Sequence, residues 1–214
     1  MIFWRFDDDV EILIWKTEES IDETLTFFAP GVQEVHKERL ETIKYEKRQK
    51  EYLCARLLID IIAGEGQRVE YLESGRPFLL DSNKEISISH TKNYVAVIAD
   101  DDKRVAIDIE VFGKTVERVK HKYCNQQELH YLSDDADIRS VQLHLIWSAK
   151  ETVFKLLDEK GVYFDEHMFV LPFELDKTGK IHCNVVKDNT VRDIQMKYKV
   201  FDEFVMVWAV GDGN

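Results

Sequence analysis

Short apolar runs bounded by charged or turn-forming residues recur along this chain, and they predict a series of β-strands. The runs cover residues 10–15, 86–90, 94–99, 104–110, 168–173, 180–186, 193–201 and 204–210. The last two are separated only by Asp202 and Glu203, which predicts a hairpin. The three runs between Ile86 and Glu110 have short connections, which favours an antiparallel meander with residues 104–110 as its third strand.

Other segments have apolar residues at helical spacing. One long helix is expected from Gln33 to Ala63, and Gly64 and Gly66 should end it. A short helix is expected over residues 125–132. Its Asn cap is followed three positions later by Glu128, the spacing of a capping box.

Residues 143–157 have the strongest helical pattern in the chain. Trp147, Glu151 and Lys155 recur every four residues and therefore share one face of that helix. Glu151 and Lys155 on their own would be an ordinary ion pair on a solvated face. The large aromatic residue beside them favours a functional surface instead.

Charge and composition narrow the possible functions. The 214 residues include 41 acidic and 29 basic side chains, for a net charge of −12, and 44% are hydrophobic. A chain this acidic lacks the basic field that nucleic-acid binding needs, although a few local cations could hold a small phosphate ligand. We therefore expect a globular protein with an ample core and no nucleic-acid partner.

The cysteines and the N-terminal sequence indicate the cellular compartment of the protein. Cys54, Cys124 and Cys183 are odd in number and lack zinc-site spacing, which is typical of buried, reduced thiols. The N-terminus does not resemble a signal peptide, and no apolar run is long enough to span a membrane. We expect a cytoplasmic monomer without a membrane partner.

Two carboxylates follow an apolar strand pattern in the segment Val105–Glu110. Asp108 and Glu110 are two residues apart, so they lie on the same face of the strand, about 6.5–7 Å apart. The simpler interpretation is a strand with a solvated face that ends in a charged turn. The alternative is a foothold for a hard divalent cation, since two anions side by side otherwise repel.

Further charged residues favour the second interpretation. Glu151 could join the two strand carboxylates, and several cations could meet a phosphate group: Arg48, Arg56, Arg76, His90 and Lys155. Carboxylates that face cations are typical of a magnesium-bridged phosphate site. Residues 114–122, with Lys114, Arg118, Lys120, His121 and Lys122, form a positive island that is either a solvated helix face or a docking patch for an acidic partner.

Three segments together resemble the signature motifs of the 4′-phosphopantetheinyl transferase superfamily. They are Ile86–Thr91, Ala106–Glu110 and Trp147–Lys155, in the family's order, and Gly75-Arg76-Pro77 is similar to the element that precedes them. The chain length resembles that of the double-length, surfactin-synthetase-activating type. The departures are Ala106 in place of Gly, Ser148 in place of Thr and Thr152 in place of Ala. None of these removes a charged group.

The resemblance implies a fold. It is a mixed α/β (α+β) fold of two similar lobes that form an intramolecular pseudo-dimer, each with a small antiparallel-rich sheet packed on a long helix. The lobes would span residues 1–103 and 104–214, with the active site at their interface.

The resemblance also implies an activity. The enzyme would transfer the 4′-phosphopantetheine arm of coenzyme A (CoA) to a serine of an apo acyl or peptidyl carrier protein and release 3′,5′-ADP, with Mg²⁺ as cofactor. The implied metal ligands are Asp108, Glu110 and Glu151. The implied catalytic residues are Glu151, Lys155, Asp108 and Glu128. The implied CoA contacts are Arg48, Arg56, Gly75, Arg76, Pro77, Ser89, His90 and Lys155. The positive island is where an acidic carrier would dock.

Two other functions stay open at this point. A metal-dependent hydrolase of nucleotides or phosphodiesters would use the same carboxylates with water as the acceptor. A non-catalytic relative would keep only CoA or carrier binding. The general base is also open between Glu151, a metal-bound water and Glu128.

Overall fold

The computed structural model describes residues 1–7 and 10–211, and the chain divides into two compact units. The first unit is Met1–Asp102, and the second begins at Lys103. Each unit packs an antiparallel sheet on a long helix, which confirms the predicted mixed α/β class. The pseudo-dimer arrangement stays a prediction.

The first unit contains six strands and three helices within its described residues. They are β1 (Ile2–Asp7), β2 (Glu11–Lys16), α1 (Ile21–Leu25), α2 (Pro30–Glu41), α3 (Glu46–Ala63), β3 (Val69–Tyr71), β4 (Pro77–Leu79), β5 (Glu85–Thr91) and β6 (Tyr94–Asp100). Four strands form a sheet in the order β1-β2-β6-β5, and β3 pairs with β4. The core lies between that sheet and α3, where Leu53 and Leu58 pack in one cluster with Leu13 and Val97.

The second unit begins with the strand that carries the paired carboxylates. Its elements are β7 (Val105–Val111), α4 (Lys114–Val119), a 3₁₀ helix (Lys120–Lys122), α5 (Gln126–Tyr131), α6 (Ala136–Leu157), α7 (Phe164–His167), β8 (Met168–Val170), β9 (Thr178–Lys187), β10 (Thr190–Val200) and β11 (Phe204–Val210). The five strands form one sheet in the order β7-β11-β10-β9-β8. Buried residues of α6, such as Ile146 and Val153, share a core with Val205 and Val207 of β11.

The predicted meander is wrong in its third strand. β5 and β6 do pair as an antiparallel hairpin, but β7 pairs antiparallel with β11 of the second sheet along its whole length. The alternation of apolar residues shows which face of a strand is buried, but it does not identify the strand that pairs with it. A short connection favours pairing with the preceding strand, and here β7 pairs instead with a strand about a hundred residues further along the chain. The predicted hairpin of β10 and β11 is confirmed.

The single helix predicted from Gln33 to Ala63 is wrong as well, because the chain forms two helices, α2 and α3. Side chains satisfy the carbonyl groups at the break: Thr42 Oγ1 donates to Arg39 O at 2.7 Å, and Gln49 Nε2 donates to Leu40 O at 3.0 Å and to Ile43 O at 2.9 Å. Such capping ends a helix without the Gly or Pro that usually marks the end in a sequence. Gly64, with φ of 100°, does end α3 as expected.

The three cysteines are free and buried, as predicted. Burial raises the pKa of Cys54, Cys124 and Cys183 to about 12, so these thiols remain protonated and unreactive at neutral pH. Within the described residues, no helix combines the length and the apolar character that crossing a bilayer requires.

Candidate active site

The two carboxylates of β7 lie on the face of the sheet that α6 covers. Asp108 is opposite Val207 of β11, and Glu110 is opposite Val205, and both of those valines belong to the α6 core. Asp108 is only 6% exposed, whereas Glu110, nearer the end of the strand, is half-buried. The alternation read from the sequence therefore places both carboxylates beside the helix.

Lys155 connects α6 to this strand. Its Nζ donates to Asp108 Oδ1 and to the backbone oxygen of Ile107, both at 2.9 Å. Because Asp108 is nearly buried, this charge-assisted bond compensates a carboxylate that would otherwise be costly to remove from water. The lysine is thus committed to the strand carboxylate rather than to a solvated pair on its own helix.

Glu151 lies one helical turn before Lys155, and the charges of Asp108 and Lys155 both affect the pKa of its carboxyl. Burial raises the pKa of Glu151, the negative charge of Asp108 raises it further, and Lys155 partly opposes both effects. Two carboxylates and one ammonium group are therefore within electrostatic reach of each other. A carboxylate whose charged form is disfavoured gains from either a proton or an additional cation.

Glu128 has a different environment from the other predicted catalytic residues. Its side chain is 1% exposed and its Oε2 accepts from Lys150 Nζ at 2.7 Å and from the Asn125 backbone N–H at 2.9 Å, while its Oε1 accepts from Val170 N–H at 2.7 Å. The capping box with Asn125 forms as predicted. A carboxylate held by three donors in the core is suited to holding α5, α6 and β8 together.

Lys150 completes that buried cluster and was not singled out by the sequence. Its Nζ donates to Glu128, to Tyr123 O at 2.6 Å and to Phe164 O at 2.8 Å, with no part of its side chain exposed. Lys150 precedes Glu151 directly, so the cluster fixes the turn of α6 that carries the candidate catalytic carboxylate. The only sequence signal was its place in the strongly helical segment 143–157, directly before Glu151.

Trp147 belongs to an aromatic cluster on the same helix. Its ring makes edge-to-face contacts with Tyr123, at 5.0 Å between centroids, and with Phe164, at 5.9 Å. Phe154, which is 43% exposed, extends the cluster through Phe164. The tryptophan therefore packs the helix against its neighbours, beside the charged residues.

The predicted phosphate-binding residues of the first unit fall into small groups. Arg48 Nη1 lies 3.1 Å from His90 Nε2 and 2.7 Å from Glu51 Oε2, which brings Arg48 and His90 together. Ser89 precedes His90 on β5 and is buried. Glu51 was missed by sequence reasoning, and its position three residues after Arg48 on a helix was the available signal.

Arg56 is 8% exposed and packs between two aromatic rings. Its guanidinium lies 4.9 Å from the centroid of Tyr52 and 5.9 Å from that of Tyr71, and it donates to the Tyr71 hydroxyl at 3.4 Å. Such cation–π contacts stabilise a guanidinium that is removed from water.

The Gly75-Arg76-Pro77 element forms the turn between β3 and β4. Gly75 has φ of +91°, a conformation that favours glycine, and Pro77 starts β4. Arg76 forms an ion pair with Glu85 of β5. The guanidinium is thus held at the edge of the first sheet.

The positive island forms two short helices, α4 and the 3₁₀ helix. Lys114, Arg118, His121 and Lys122 are exposed. Lys120 is paired with Glu117 at 2.7 Å. A largely cationic surface therefore begins three residues after β7 ends.

No group of three His, Cys, Asp or Glu side chains is arranged to hold a metal ion among the residues that the structure describes. Asp108 and Glu151 do provide the oxygen donors that hard cations prefer. Burial and, after it, the negative charge of Asp108 raise the pKa of Glu151, and a bound cation would offset both effects. The donor chemistry of this pair fits Mg²⁺, and Glu110 is on the same face as a third donor.

A comparison with protein families gives an independent result for the second unit. Residues 104–209 match the family model of the 4′-phosphopantetheinyl transferase superfamily. The matched range contains Asp108, Glu110, Glu128, Glu151 and Lys155, and excludes the candidate residues of the first unit. No curated protein matches the chain. The family match therefore supports the 4′-phosphopantetheinyl transferase superfamily, with phosphopantetheinyl transfer as its general chemistry, for this part of the chain.

Proposed function

We propose that the protein transfers the 4′-phosphopantetheine group of CoA to a serine of an apo acyl or peptidyl carrier protein, in a reaction that depends on Mg²⁺. The observation that carries this proposal is the contact of Lys155 with Asp108, beside Glu151, within the residues that match the family model. This arrangement places two carboxylates and an ammonium group where a β-strand meets a helix. A diphosphate substrate needs both kinds of charge.

The proposed step forms one bond to phosphorus, breaks one bond to phosphorus and transfers one proton. The serine oxygen of the carrier attacks the phosphorus that bears the pantetheine arm, the bond from that phosphorus to the bridging diphosphate oxygen breaks, and 3′,5′-ADP leaves. The serine proton must go to a base as the new bond forms. We assign this role to Glu151, because its carboxylate has two oxygens, so one can accept the proton while the other faces the proposed ion. Glu128, enclosed by three donors in the core, is assigned a structural role.

Lys155 would act on the leaving group. An ammonium held by Asp108 and by the Ile107 carbonyl is already oriented, so little reorganisation is needed when negative charge develops on the leaving diphosphate oxygen. The contact with Asp108 also keeps that ammonium beside the proposed metal ligands.

We propose Asp108, Glu110 and Glu151 as the ligands of Mg²⁺. When bound, the ion would neutralise diphosphate oxygens and hold them in a fixed orientation. Lys155 provides a positive charge 2.9 Å from Asp108. Loss of CoA turnover on chelation, with recovery on addition of Mg²⁺, is the expected behaviour of this site.

CoA would also contact the first unit. Arg48 and His90 form one cationic group there, and we propose that it binds a phosphate of CoA, with Ser89 beside it. Arg56 and the turn Gly75–Pro77 are proposed to lie near the adenine and the 3′-phosphate.

The carrier is proposed to dock on the positive island. Carrier proteins are usually acidic, and this enzyme has a net charge of −12, so the two would repel each other except where the local charge is reversed. The exposed cations of α4 and the 3₁₀ helix provide that reversal.

Intact-protein mass spectrometry tests the proposed function. The protein is incubated with CoA, Mg²⁺ and an apo carrier protein, and the carrier is expected to gain the mass of one phosphopantetheine group. A panel of carriers from fatty-acid, polyketide and peptide synthesis would also identify the preferred acceptor. If CoA is consumed while every carrier keeps its mass, the protein is a hydrolase. If CoA binds and is never consumed, it is a binding relative.

A further inference from the structure

A buried carboxylate lies at the centre of the basic residues at the start of α3. Glu51 is in contact with Arg48 Nη1 at 2.7 Å and lies 3.6 Å from Lys47 Nζ and 3.8 Å from His90 Nδ1. The side chain of Glu51 is 6% exposed, whereas those of Lys47, Arg48 and His90 are 63%, 58% and 42% exposed. One fixed anion thus anchors three cation-forming groups whose ends reach the solvent.

The contacts among these groups determine the position of the imidazole proton. Arg48 Nη1 lies 3.1 Å from His90 Nε2. A guanidinium can only donate, so Nε2 accepts this hydrogen bond and the proton of the neutral ring is on Nδ1. Nδ1 is the nitrogen that faces Glu51. The carboxylate therefore orders Arg48 through a hydrogen bond, and Arg48 in turn holds His90, whose Nδ1 lies 3.8 Å from the same carboxylate.

The group is still suited to an anion despite the carboxylate. Lys47 and Arg48 contribute two positive charges and Glu51 one negative charge, so the group has a net charge of +1 with His90 neutral. Long cationic side chains lose conformational freedom when they bind a ligand, and holding them beforehand reduces that loss. A buried anchor at the base of exposed cations does this.

We propose that Glu51 is a positioning residue for phosphate binding, which acts by holding Arg48 and His90 in a fixed arrangement. This inference rests on the proposed function, since the phosphate group would belong to CoA. The competing explanation is that Glu51 only balances positive charge. The two explanations predict opposite changes in CoA affinity when Glu51 is neutralised. If Glu51 only offset positive charge, its neutralisation would tighten CoA binding, whereas loss of positioning would weaken it.

Glu51→Gln and Glu51→Asp are the variants, and Glu46→Gln is the matched control. Glu46 is on the same helix and pairs with Lys50, but its side chain is 72% exposed. We expect both Glu51 variants to raise the dissociation constant and the KM for CoA about tenfold, with kcat changed less than twofold, and the control to match the wild type. Tighter or unchanged CoA binding by Glu51→Gln would overturn the proposal, as would wild-type behaviour of Glu51→Asp, which keeps the charge and shortens the side chain. Circular dichroism confirms that each variant is folded.

A double-mutant cycle separates positioning from a direct effect. In a background with Arg48→Ala and His90→Ala, Glu51→Gln should cause no further loss of CoA binding, because its targets are absent. A tenfold loss in that background as well would show that Glu51 acts by another route.

A measurement without CoA keeps this proposal separable from the proposed function. Nitrogen chemical shifts of the His90 ring should show the Nδ1-protonated tautomer in the wild type and in Glu46→Gln, and a mixture of tautomers in Glu51→Gln. If the wild type fails to bind or consume CoA, the proposed function fails, and the tautomer result still decides whether Glu51 orders Arg48 and His90. An unchanged tautomer in Glu51→Gln would contradict that ordering.

Discussion

The ammonium of Lys155 lies 2.9 Å from Oδ1 of Asp108, and this contact joins the long helix of the second unit to the first strand of its sheet. The two residues are 47 positions apart in the chain. Asp108 is 6% exposed, so this ion pair compensates part of the cost of removing its carboxylate from water. The same contact holds a positive charge beside Glu151.

Replacement of Lys155 tests the role of that charge. We expect Lys155→Met to lower kcat by about 10²–10³-fold with a small change in the KM for the carrier, because the lost interaction is with charge that develops in the transition state. Steady-state assays of carrier modification measure both constants. Lys37→Met is the control, since Lys37 is a half-exposed partner of Glu34 in the first unit. A kcat within twofold of the wild type for Lys155→Met would contradict this role.

The positive island should affect the carrier and leave CoA unaffected. Replacing Lys114, Arg118 and Lys122 with Gln is expected to raise the KM for an acidic carrier about tenfold or more at low salt, with a smaller effect at high salt, because exposed charges are screened. The KM for CoA should stay the same. The control replaces the exposed residues Lys37, Lys44 and Lys92, with the same change in net charge. Equal effects of the two triple variants would show that only net charge matters.

The buried pair of Lys150 and Glu128 should dominate the stability of the second unit. Lys150→Met leaves a buried carboxylate without its cation, so we expect a loss of about 3–5 kcal/mol in the free energy of unfolding. Adding Glu128→Gln removes that unpaired charge and should recover part of the loss. Urea denaturation of Lys150→Met, Glu128→Gln and the double variant measures the coupling energy between the two side chains. Strictly additive losses would contradict an interaction between the two side chains.

The stability of the protein should fall as the pH is lowered through about 6.5. His144 Nδ1 donates to Ser140 O at 2.7 Å and its Nε2 accepts from Gly113 N–H at 3.1 Å, so protonation of Nε2 would break the second bond. Burial lowers the pKa of His144 from its ordinary value of 6.5. Below that value the unfolded chain binds a proton that the folded protein does not, and acid therefore favours unfolding.

Denaturation between pH 7.5 and 5.5 checks this dependence. His144→Gln should reduce the slope of unfolding free energy against pH by up to about 1.4 kcal/mol per pH unit. His36, whose pKa is also lowered by burial, should contribute a slope of the same sign that remains in this variant. The exposed His130→Gln is the control. A slope that is unchanged in His144→Gln would contradict the assignment.

Local patterns predicted what depends on neighbours in the chain. The helix over residues 143–157, the capping box of Asn125 and Glu128, and the hairpin of β10 and β11 all follow from residues within a few positions of each other, and all three are confirmed. The first two turns of α6, which begins at Ala136, were not predicted. The alternation around Asp108 likewise predicted which side chains share a face. The pairing of β7 with β11 was not predictable in this way, because its partner lies at the far end of the chain.

The missed residues of the candidate site have the same cause. Glu51 and Lys150 look like ordinary members of charged or apolar helix patterns. Their roles depend on contacts with His90, 39 positions away, and with Glu128, 22 positions away. A single sequence contains no record of such contacts, whereas the charged residues of the recognised motifs could be identified by their order and spacing.

The most direct measurement follows CoA and the carrier in the same reaction. The amount of 3′,5′-ADP released and the amount of carrier that gains a phosphopantetheine group are quantified together, with and without apo carrier, and with the Asp108→Asn variant as the inactive control. We predict equal amounts of the two products, no release of 3′,5′-ADP without carrier, and a loss of several orders of magnitude in Asp108→Asn. Release of 3′,5′-ADP that does not need the carrier, or a carrier whose mass stays unchanged, would contradict the transferase assignment.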